Sequence, residues 1–538
     1  VFADGVTRLH GWRRNLVAFG AGAASVLAMA PVFWSPVLFA TLTILVWLIA
    51  SRSAAAGHRN LQGAFSDGWW FGFGYFLAGL FWIGEAFLVE AEIFGWLLPF
   101  AVTLLPAGLA AFYAAAAMLA AWLWRSGLAG LLTTAVVFAA AEWLRGHVLT
   151  GFPWNVLGYA LTYPDGLMQA AGIVGTYGLT LWTFVIFATP AALITPHGQH
   201  AMSRLNAAAT LAFAATGLIA AVVWGYLTLA HAPADQTTDV RVRIVQPSVP
   251  QREKWLPEKQ AEIFALHIQL SRQNARGLAD GLSDIPLLVW PEAAMPFRPL
   301  EQPDALAAIA ELLPQGSVLL SGGLRMEMQD VAAGQPALRR AYNSLMAFGA
   351  EGEPLAIYDK IHLVPFGEYL PFQSTLESIG LRQLTKLRGG FTAGARPRPI
   401  LKLGRLPPLM GLVCYEAIFP GQIIQGGQRP QVLVNITNDG WFGNTTGPHQ
   451  HLHQARVRAV EEGLPLIRAA NNGISALIDA QGRVRAALGL NAIGVIDARL
   501  PPPAPAPPYS RFGDWLMALN SLAFLVLAWI AVRLRSDS

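Results

Sequence analysis

A polytopic α-helical membrane domain of about eight spans, joined to an extracytoplasmic α/β domain, is the architecture this sequence predicts. Three observations predict it. Of 538 residues, 54% are hydrophobic and only 13% charged, against roughly 25% charged in an average soluble domain. All five lysines, Lys254, Lys259, Lys360, Lys386 and Lys402, fall between positions 240 and 500. Long apolar runs fill the chain on either side of that stretch. Lipid is thus the implied solvent for the flanks and water for the middle.

A spanning helix needs about 20 mainly apolar residues. Seven such runs precede position 235, near 14–31, 34–50, 67–89, 95–123, 128–146, 167–195 and 207–230, and an eighth lies near 513–532. Pro31 and Pro36 mark a turn or a kink between the first two. No N-terminal segment reads as a cleaved signal peptide, since further spans follow directly. With eight spans, both termini share a side with Arg8, Arg13, Arg14, Arg52, Arg59, Arg125, Arg204, Arg533 and Arg535. The short loops opposite hold only Arg145. This bias expects cytoplasmic termini and a middle domain outside the cytoplasm, in a bacterium the periplasmic side of the inner membrane. The positive charge behind the net +4 is mostly arginine, much of it beside apolar segments, which argues against a nucleic-acid partner.

The expected division is 1–235 for the membrane domain with seven spans, 240–500 for the α/β domain, 501–512 for a proline-rich linker, and 513–538 for the last span and a cytoplasmic tail. His231–Thr238 bounds the domain on one side. Pro501–Ser510, PPPAPAPPYS, reads as an extended polyproline spacer on the other. A domain tethered twice at short range presents its active face to the membrane.

Within 240–500, strand-like runs occur at Arg241–Gln246, Pro286–Trp290, Val318–Gly323, Ser344–Phe348, Ala356–Tyr358, Leu409–Val413, Val432–Thr437 and Leu466–Ala470. Helical spacing fits Pro257–Ala275, Asp304–Leu313 and His449–Glu462. Strands alternating with helices indicate a layered α/β fold. Three of these runs end in reactive groups: LLVWPE delivers Glu292, IYDK delivers Lys360, and LMGLVCYE delivers Cys414. Taken singly each has a plain alternative. Glu292 could be a surface charge, Lys360 a partner of Asp359, and Cys414, the lone cysteine, a small buried hydrophobe. Together they form a coherent set. A thiol with a pKa of about 8.5 is only slightly ionised at neutral pH. Glu292 could take its proton as general base, and Lys360 could favour the thiolate and then an oxyanion. The Tyr415 N–H could be a second oxyanion donor.

At these residues the sequence resembles the nitrilase, or carbon-nitrogen hydrolase, superfamily with its Glu–Lys–Cys triad. It resembles above all the membrane branch, the apolipoprotein N-acyltransferases. VWPEAAMPF (289–297), YDKIHLVPFGEYLPF (358–372), GLVCYEAIFP (411–420) and NITNDGWFG (435–443) carry the resemblance. In the membrane part, EWLRG (142–146) and GFPWNVLGY (151–159) carry it too. The resemblance implies an αββα sandwich for the middle domain, with Glu292 as base, Lys360 as electrostatic stabiliser and Cys414 as nucleophile. It also implies functional roles for Glu368, Tyr415 and Glu416, with Glu368 supporting the triad, and an arm carrying Trp255. Plain alternatives are a turn-capping Glu368 and an interfacial aromatic at Trp255. Asn343 and Asn435 either orient backbone near the site or are strand-end turn residues.

The implied reaction passes a fatty-acyl chain from a membrane phospholipid, expected to be phosphatidylethanolamine, through a Cys414 thioester. The acceptor is the α-amino group of diacylglyceryl-cysteine on an apolipoprotein. No cofactor or metal is expected, and a monomer suffices. His449, His451 and His453 look metal-like, but no carboxylate follows at a familiar spacing. Gly72-Phe73-Gly74 sits inside a span and suits close helix packing rather than a nucleotide loop. Glu142 and Arg145, three apart, suit pairing, and Glu85 stays open. Two other functions compete. A membrane-tethered amidase would use the same triad with water as acceptor. A transporter would need several buried charges along a pathway.

Overall fold

The computed structural model describes residues 2–53, 59–194, 204–232, 235–277, 281–329, 338–378, 390–424 and 428–536. Among them, six helices are long and apolar enough to cross a membrane: Ser35–Ser53, Leu61–Leu88, Ala91–Leu123, Leu128–Arg145, Asn206–Ala230 and Trp515–Arg533. The other two predicted spans are shorter. The first forms Gly11–Ser25, with Arg13, Arg14 and Asn15 in its first turn, and tightens into a 3-10 turn at Val26–Ala28. The sixth is divided into Asp165–Met168, Ala171–Phe187 and Thr189–Leu193. Gly175, at φ +70°, interrupts the helical path, and Pro190 opens the last piece.

Small residues let these helices approach closely. A Cβ on Gly74 would sit 2.1 Å from the Phe19 carbonyl oxygen, so the first and third helices meet backbone to backbone. Charge buried among the helices is paired. Asp67 accepts from Arg14 Nε (2.8 Å) and Nη2 (2.7 Å) and from Arg52 Nε (2.9 Å). That cluster ties together the start of the first helix, the end of the second and the start of the third. Glu142 accepts from Arg145 Nε (2.8 Å), Tyr113 OH (2.7 Å) and the Leu157 N–H (3.3 Å). Arg145 in turn donates to the carbonyls of Phe152 and Trp154. The pair read from the sequence as a helix-face contact therefore braces the 151–159 segment.

The middle of the chain forms two sheets. β1 Arg241–Gln246, β2 Leu287–Val289, β3 Val318–Gln329, β4 Leu338–Phe348 and β5 Pro354–Asp359 belong to the first. β6 Leu409–Val413, β7 Val432–Thr437, β8 Leu466–Ala470, β9 Ser475–Ile478 and β10 Val484–Leu488 form the second, and β11 Gly494–Arg499 returns to the first. The orders are β11-β1-β2-β3-β4-β5 and β10-β9-β8-β7-β6. The central pairs β1/β2/β3 and β6/β7/β8 are parallel, which explains their buried, aliphatic-rich segments: such strands are covered on both faces.

Alternate residues face opposite ways. Ile244, Val289, Leu320 and Leu345 of one sheet meet Val413, Val432, Val434 and Ile436 of the other. The outer faces are covered by helices. Leu288, Leu319 and Met346 pack with Leu270 of Gln260–Ser271 and Ile309 of Pro303–Leu312. Met410, Leu433 and Leu466 pack with Ala455 and Ala459 of Gly447–Glu462. The layers run α, β, β, α, the sandwich the resemblance implied.

Several boundaries differ from the sequence reading. The β3–β4 hairpin is much longer than read, because polar, half-exposed ladder positions hide strand character. β10 and β11 escaped notice for the same reason, and β9, though buried throughout, because it is only four residues long. Pro257–Ala275 resolves into a 3-10 turn at Pro257–Lys259 and the helix Gln260–Ser271. The proline-rich stretch is extended only to Pro507, then turns helical at Pro508–Phe512. It is also pinned: the Ala504 N–H donates to Gly463 O (3.0 Å), and Arg429 Nη2 donates to Ala504 O (3.1 Å).

Candidate active site

Three strand ends bring the reactive groups together. β2 is followed by Trp290, whose indole N–H is held by Ser271 Oγ (2.8 Å), and the chain then turns through Glu292. The turn lies against β3 where Gly322 leaves room: a Cβ there would sit 2.6 Å from Glu292 Cα. β5 ends at Asp359, whose carboxylate binds Arg325 (3.0 and 2.6 Å) and Ser344 (2.6 Å). Lys360 follows on the other face and is buried. Its Nζ lies 2.9 Å from Glu368 Oε2, 3.0 Å from Glu368 Oε1 and 4.0 Å from Glu292 Oε1. Pairing of Lys360 with Asp359 is thus excluded by strand alternation. Asn343 on β4 bridges the two acids, its Nδ2 donating to Glu292 Oε1 (2.7 Å) and Glu368 Oε1 (2.9 Å).

Cys414 directly follows β6, is buried and sits at φ +49°, a backbone region costly for any residue with a Cβ. Polar groups on both sides hold it there. Asn435 Nδ2 donates to Leu412 O (3.2 Å) and Cys414 O (3.4 Å). His451 Nε2 lies 3.1 Å from Cys414 O, a contact that requires the proton on that nitrogen. His451 Nδ1 lies 2.9 Å from Asp439 Oδ1, and Arg468 binds Asp439 Oδ2 (2.7 Å) and Asn435 Oδ1. Below the turn, Glu416 accepts from the N–H groups of Val413 (2.8 Å), Ile361 (2.9 Å) and His362 (3.1 Å), from Arg398 Nη2 (3.0 Å), and from Tyr358 OH (2.7 Å). One buried carboxylate thereby ties the cysteine turn to the strand end carrying Lys360.

The electrostatics follow from burial and charge. Burial pushes the Glu292 carboxyl up, only partly offset by Lys360. Burial and then Glu292 push the Cys414 thiol up against the pull of Lys360. Lys360 was expected from the sequence to favour the thiolate; burial outweighs it, and the resting sulfur carries its proton. Burial also acts to lower the Lys360 ammonium, but Glu368 and Glu292 hold it above its usual value. Glu416 is held below the carboxylate range by Arg398 and the Val413 N–H, against burial. A proton can therefore pass from sulfur to Glu292 as the sulfur attacks, beside a fixed ammonium.

Of the residues singled out by sequence, Glu292, Lys360, Glu368 and Asn343 are joined by direct contacts, and Cys414 feels the charges of Glu292 and Lys360. Asn435 holds its carbonyl, and Glu416 holds the Val413 N–H just before it. Tyr415 turns its hydroxyl to Gly151 O (3.0 Å) in the membrane domain. Trp255 stays 41% exposed on a segment whose Arg252 donates to Leu88 O (2.7 Å). The histidines diverge: His451 serves the cysteine turn, while His453 Nε2 meets Thr162 Oγ1 (2.6 Å). Glu85 packs beside Gly443, whose added Cβ would sit 2.6 Å from Glu85 Oε2. Sequence reasoning missed Lys254, Asp439 and Arg468. Lys254 Nζ is buried and donates to Glu292 O (3.0 Å); the scarcity of lysine was its one signal. A cavity of about 690 Å³ is lined among others by His147, Thr150, Ile361, His362, Tyr369 and Arg396, Ile361 being the residue after Lys360. Membrane-side and sandwich residues thus share its walls.

Comparison with known proteins adds to this geometry. The carbon-nitrogen hydrolase family model matches residues 241–504, and the apolipoprotein N-acyltransferase N-terminal domain model matches 21–189. Apolipoprotein N-acyltransferase of Rhodopseudomonas palustris is 48% identical over 99% of this chain and 97% of its own. Those of Bradyrhizobium diazoefficiens and Brucella melitensis are 47% and 43% identical, covering 98% and 99% of this chain and 96% and 98% of theirs. A solved carbon-nitrogen hydrolase of Helicobacter pylori G27 aligns with 48% of this chain and 89% of its own, at 16% identity and a TM-score of 0.33.

Proposed function

The chain belongs to the apolipoprotein N-acyltransferase family, and on that premise we propose that it acylates lipoproteins through a thioester on Cys414. It is a bacterial membrane enzyme, an acyltransferase built on a carbon-nitrogen hydrolase domain. The observation that carries the mechanism is the buried cluster in which one ammonium, Lys360, sits between Glu292 and Glu368 beside the strained Cys414 turn.

In the first half, Glu292 takes the thiol proton while sulfur attacks the carbonyl carbon of a phospholipid ester. The oxyanion forms beside Lys360 and the Tyr415 N–H, interactions stronger in the transition state than before it. Collapse breaks the ester C–O bond, and Glu292 returns the proton to the leaving lysophospholipid. In the second half, the neutral α-amino group of diacylglyceryl-cysteine attacks the thioester. Glu292 accepts a proton from nitrogen, the C–S bond breaks, and the proton goes back to sulfur. The elevated affinity of buried Glu292 for protons suits both transfers. Phosphatidylethanolamine is the proposed donor, a monomer the working unit, and the 690 Å³ cavity between the two domains the route for lipid.

The domain boundaries at 235, 240 and 500, cytoplasmic termini and a periplasmic sandwich remain part of this reading. Two observations support the orientation. The Arg14–Asp67–Arg52 cluster means the first two helices return to the same level, so the short first helix crosses with the second. Glu461 of the sandwich accepts from the Thr176 N–H (2.8 Å) at the start of Ala171–Phe187, and beyond its far end Ile194 O accepts from Trp47. These contacts at its two ends support reading that helix as a crossing too, for eight in all.

The test is reconstitution with phosphatidylethanolamine and a diacylglyceryl-cysteine peptide. Wild type yields triacylated peptide, and Cys414→Ser, folded and membrane-inserted, yields none. Full turnover by Cys414→Ser would rule out the thioester.

A further inference from the structure

We propose that Lys254 is a further charged member of the catalytic site, a positioning residue whose ammonium fixes the Glu292 peptide and offsets negative charge developing at Cys414. The inference rests on the assignment of Glu292 and Cys414 to the reaction, and its test needs no lipid substrate.

Geometry comes first. Lys254 is 1% exposed, and its Nζ donates to the main-chain oxygen of Glu292 at 3.0 Å. It is therefore tied to the backbone of the general base itself. A lysine so thoroughly buried is rare unless something holds it. Lys254 also feels the charges of Glu292 and Cys414, and His267 feels Lys254 in turn.

Charge balance gives the second argument. Glu292, Glu368 and Lys360 together carry two negative charges and one positive. A buried set with an uncompensated charge is unfavourable in a low-dielectric interior. A second ammonium brings the cluster to neutrality. The balance persists during reaction: when the proton moves from sulfur to Glu292, the negative charge moves to sulfur and then to the oxyanion, so the total is unchanged. Without Lys254 the cluster stays net negative at every step. The position of Lys254 fits a group that responds to this charge. Burial pushes it down to about 7, while Glu292 and Cys414 draw it back up. The titratable and charged groups around it are Glu292, Cys414 and His267 from the sandwich and Arg252 and Glu253 on its own segment. Burial lowers His267 to about 4, so it is neutral through the neutral range.

Cys414 is the only cysteine in the chain, so alkylation by the small neutral reagent iodoacetamide reports its thiolate fraction directly by mass. Purified full-length wild type, Lys254→Met, Lys254→Gln and Lys254→Arg are compared from pH 6.5 to 9.5. One pKa unit is a tenfold change in thiolate fraction below the pKa. Lys254→Met and Lys254→Gln are expected to react about tenfold more slowly at pH 6.5, the gap closing above about pH 7 as wild-type Lys254 loses its proton, and Lys254→Arg within about threefold of wild type at pH 6.5. If neither neutral variant folds, wild type and Lys254→Arg still decide: the wild-type rate rises less steeply above about pH 7, as Lys254 loses its proton, and Lys254→Arg removes that break. Wild-type reactivity in both neutral variants, or a break retained in Lys254→Arg, overturns the proposal. An enzyme that never acquires an acyl group, yet shows these alkylation ratios, would keep this inference and lose the acyl-transfer reading.

Discussion

Glu416→Gln tests the cysteine turn through its anchor. Glu416 is 1% exposed and binds three backbone N–H groups, Arg398 and Tyr358. Glutamine keeps the shape but removes the charge and turns an NH₂ towards groups that are themselves donors. Arg398, 6% exposed, is left without its carboxylate, and breaking such a buried pair costs about 3–5 kcal/mol. At roughly 2–4 °C per kcal/mol for a domain of this size, the unfolding midpoint in detergent should fall by about 10 °C. Loss of the tie between the Cys414 turn and the Lys360 strand end should also slow acyl-enzyme formation by at least about tenfold. The pH dependence gives a separate check. Glu416 is held below the usual carboxylate value, so its stabilisation is complete above about pH 4.3, its value when unfolded. It is lost as pH falls through the lower native value, and Glu416→Gln should lack that component. A midpoint within 2 °C of wild type, with normal acylation, would refute the anchoring argument.

Other substitutions probe separate parts of the site. Asn343→Asp places a third acid between Glu292 and Glu368 and should cut the acyl-enzyme rate by roughly 10²-fold, an effect on the scale of one lost electrostatic contact in the transition state; a rate within twofold of wild type would show the bridge to be dispensable. Asp439→Asn strips buried Arg468 of its carboxylate, and thermal unfolding should register a loss of about 3 kcal/mol. Tyr415→Phe removes a single hydrogen bond to Gly151 and should cost only about 1 kcal/mol, with acylation retained; abolished acylation would mean that the hydroxyl, not the backbone N–H, acts in the chemistry.

The sandwich was legible where its strands are buried on both faces. Arg241–Gln246, Leu409–Val413, Val432–Thr437 and Leu466–Ala470 are buried, aliphatic-rich runs whose limits agree with the sequence reading. Where one face meets solvent, as in β10 with Val484 exposed, the pattern weakens and strands were missed. Helix length was harder. The apolar run 167–195 exceeds a span in composition, yet Gly175 and Pro190 divide it, so hydropathy alone overstated one helix. The reactive residues were visible because each closes a strand. Their supports were not: Arg468, Asp439 and His451 lie on three different elements, and only folding shows that they join in one network, through which His451 reaches Cys414 O. His451 could be read in sequence only as part of a metal-like cluster, because spacing on one helix says nothing of a carboxylate arriving from another loop. Lys254 escaped for a related reason. It sits in a polar, charged segment where a lysine ordinarily faces water, and only its contact with Glu292 O sets it apart.

The central claim concerns one sulfur atom and is tested most directly by intact and peptide mass spectrometry of the wild-type enzyme incubated with phosphatidylethanolamine alone. A fatty-acyl mass on the peptide containing Cys414, released by hydroxylamine and absent from Cys414→Ser, is the predicted result. A sulfur that stays unmodified while the same preparation converts a diacylglyceryl peptide to product would contradict it.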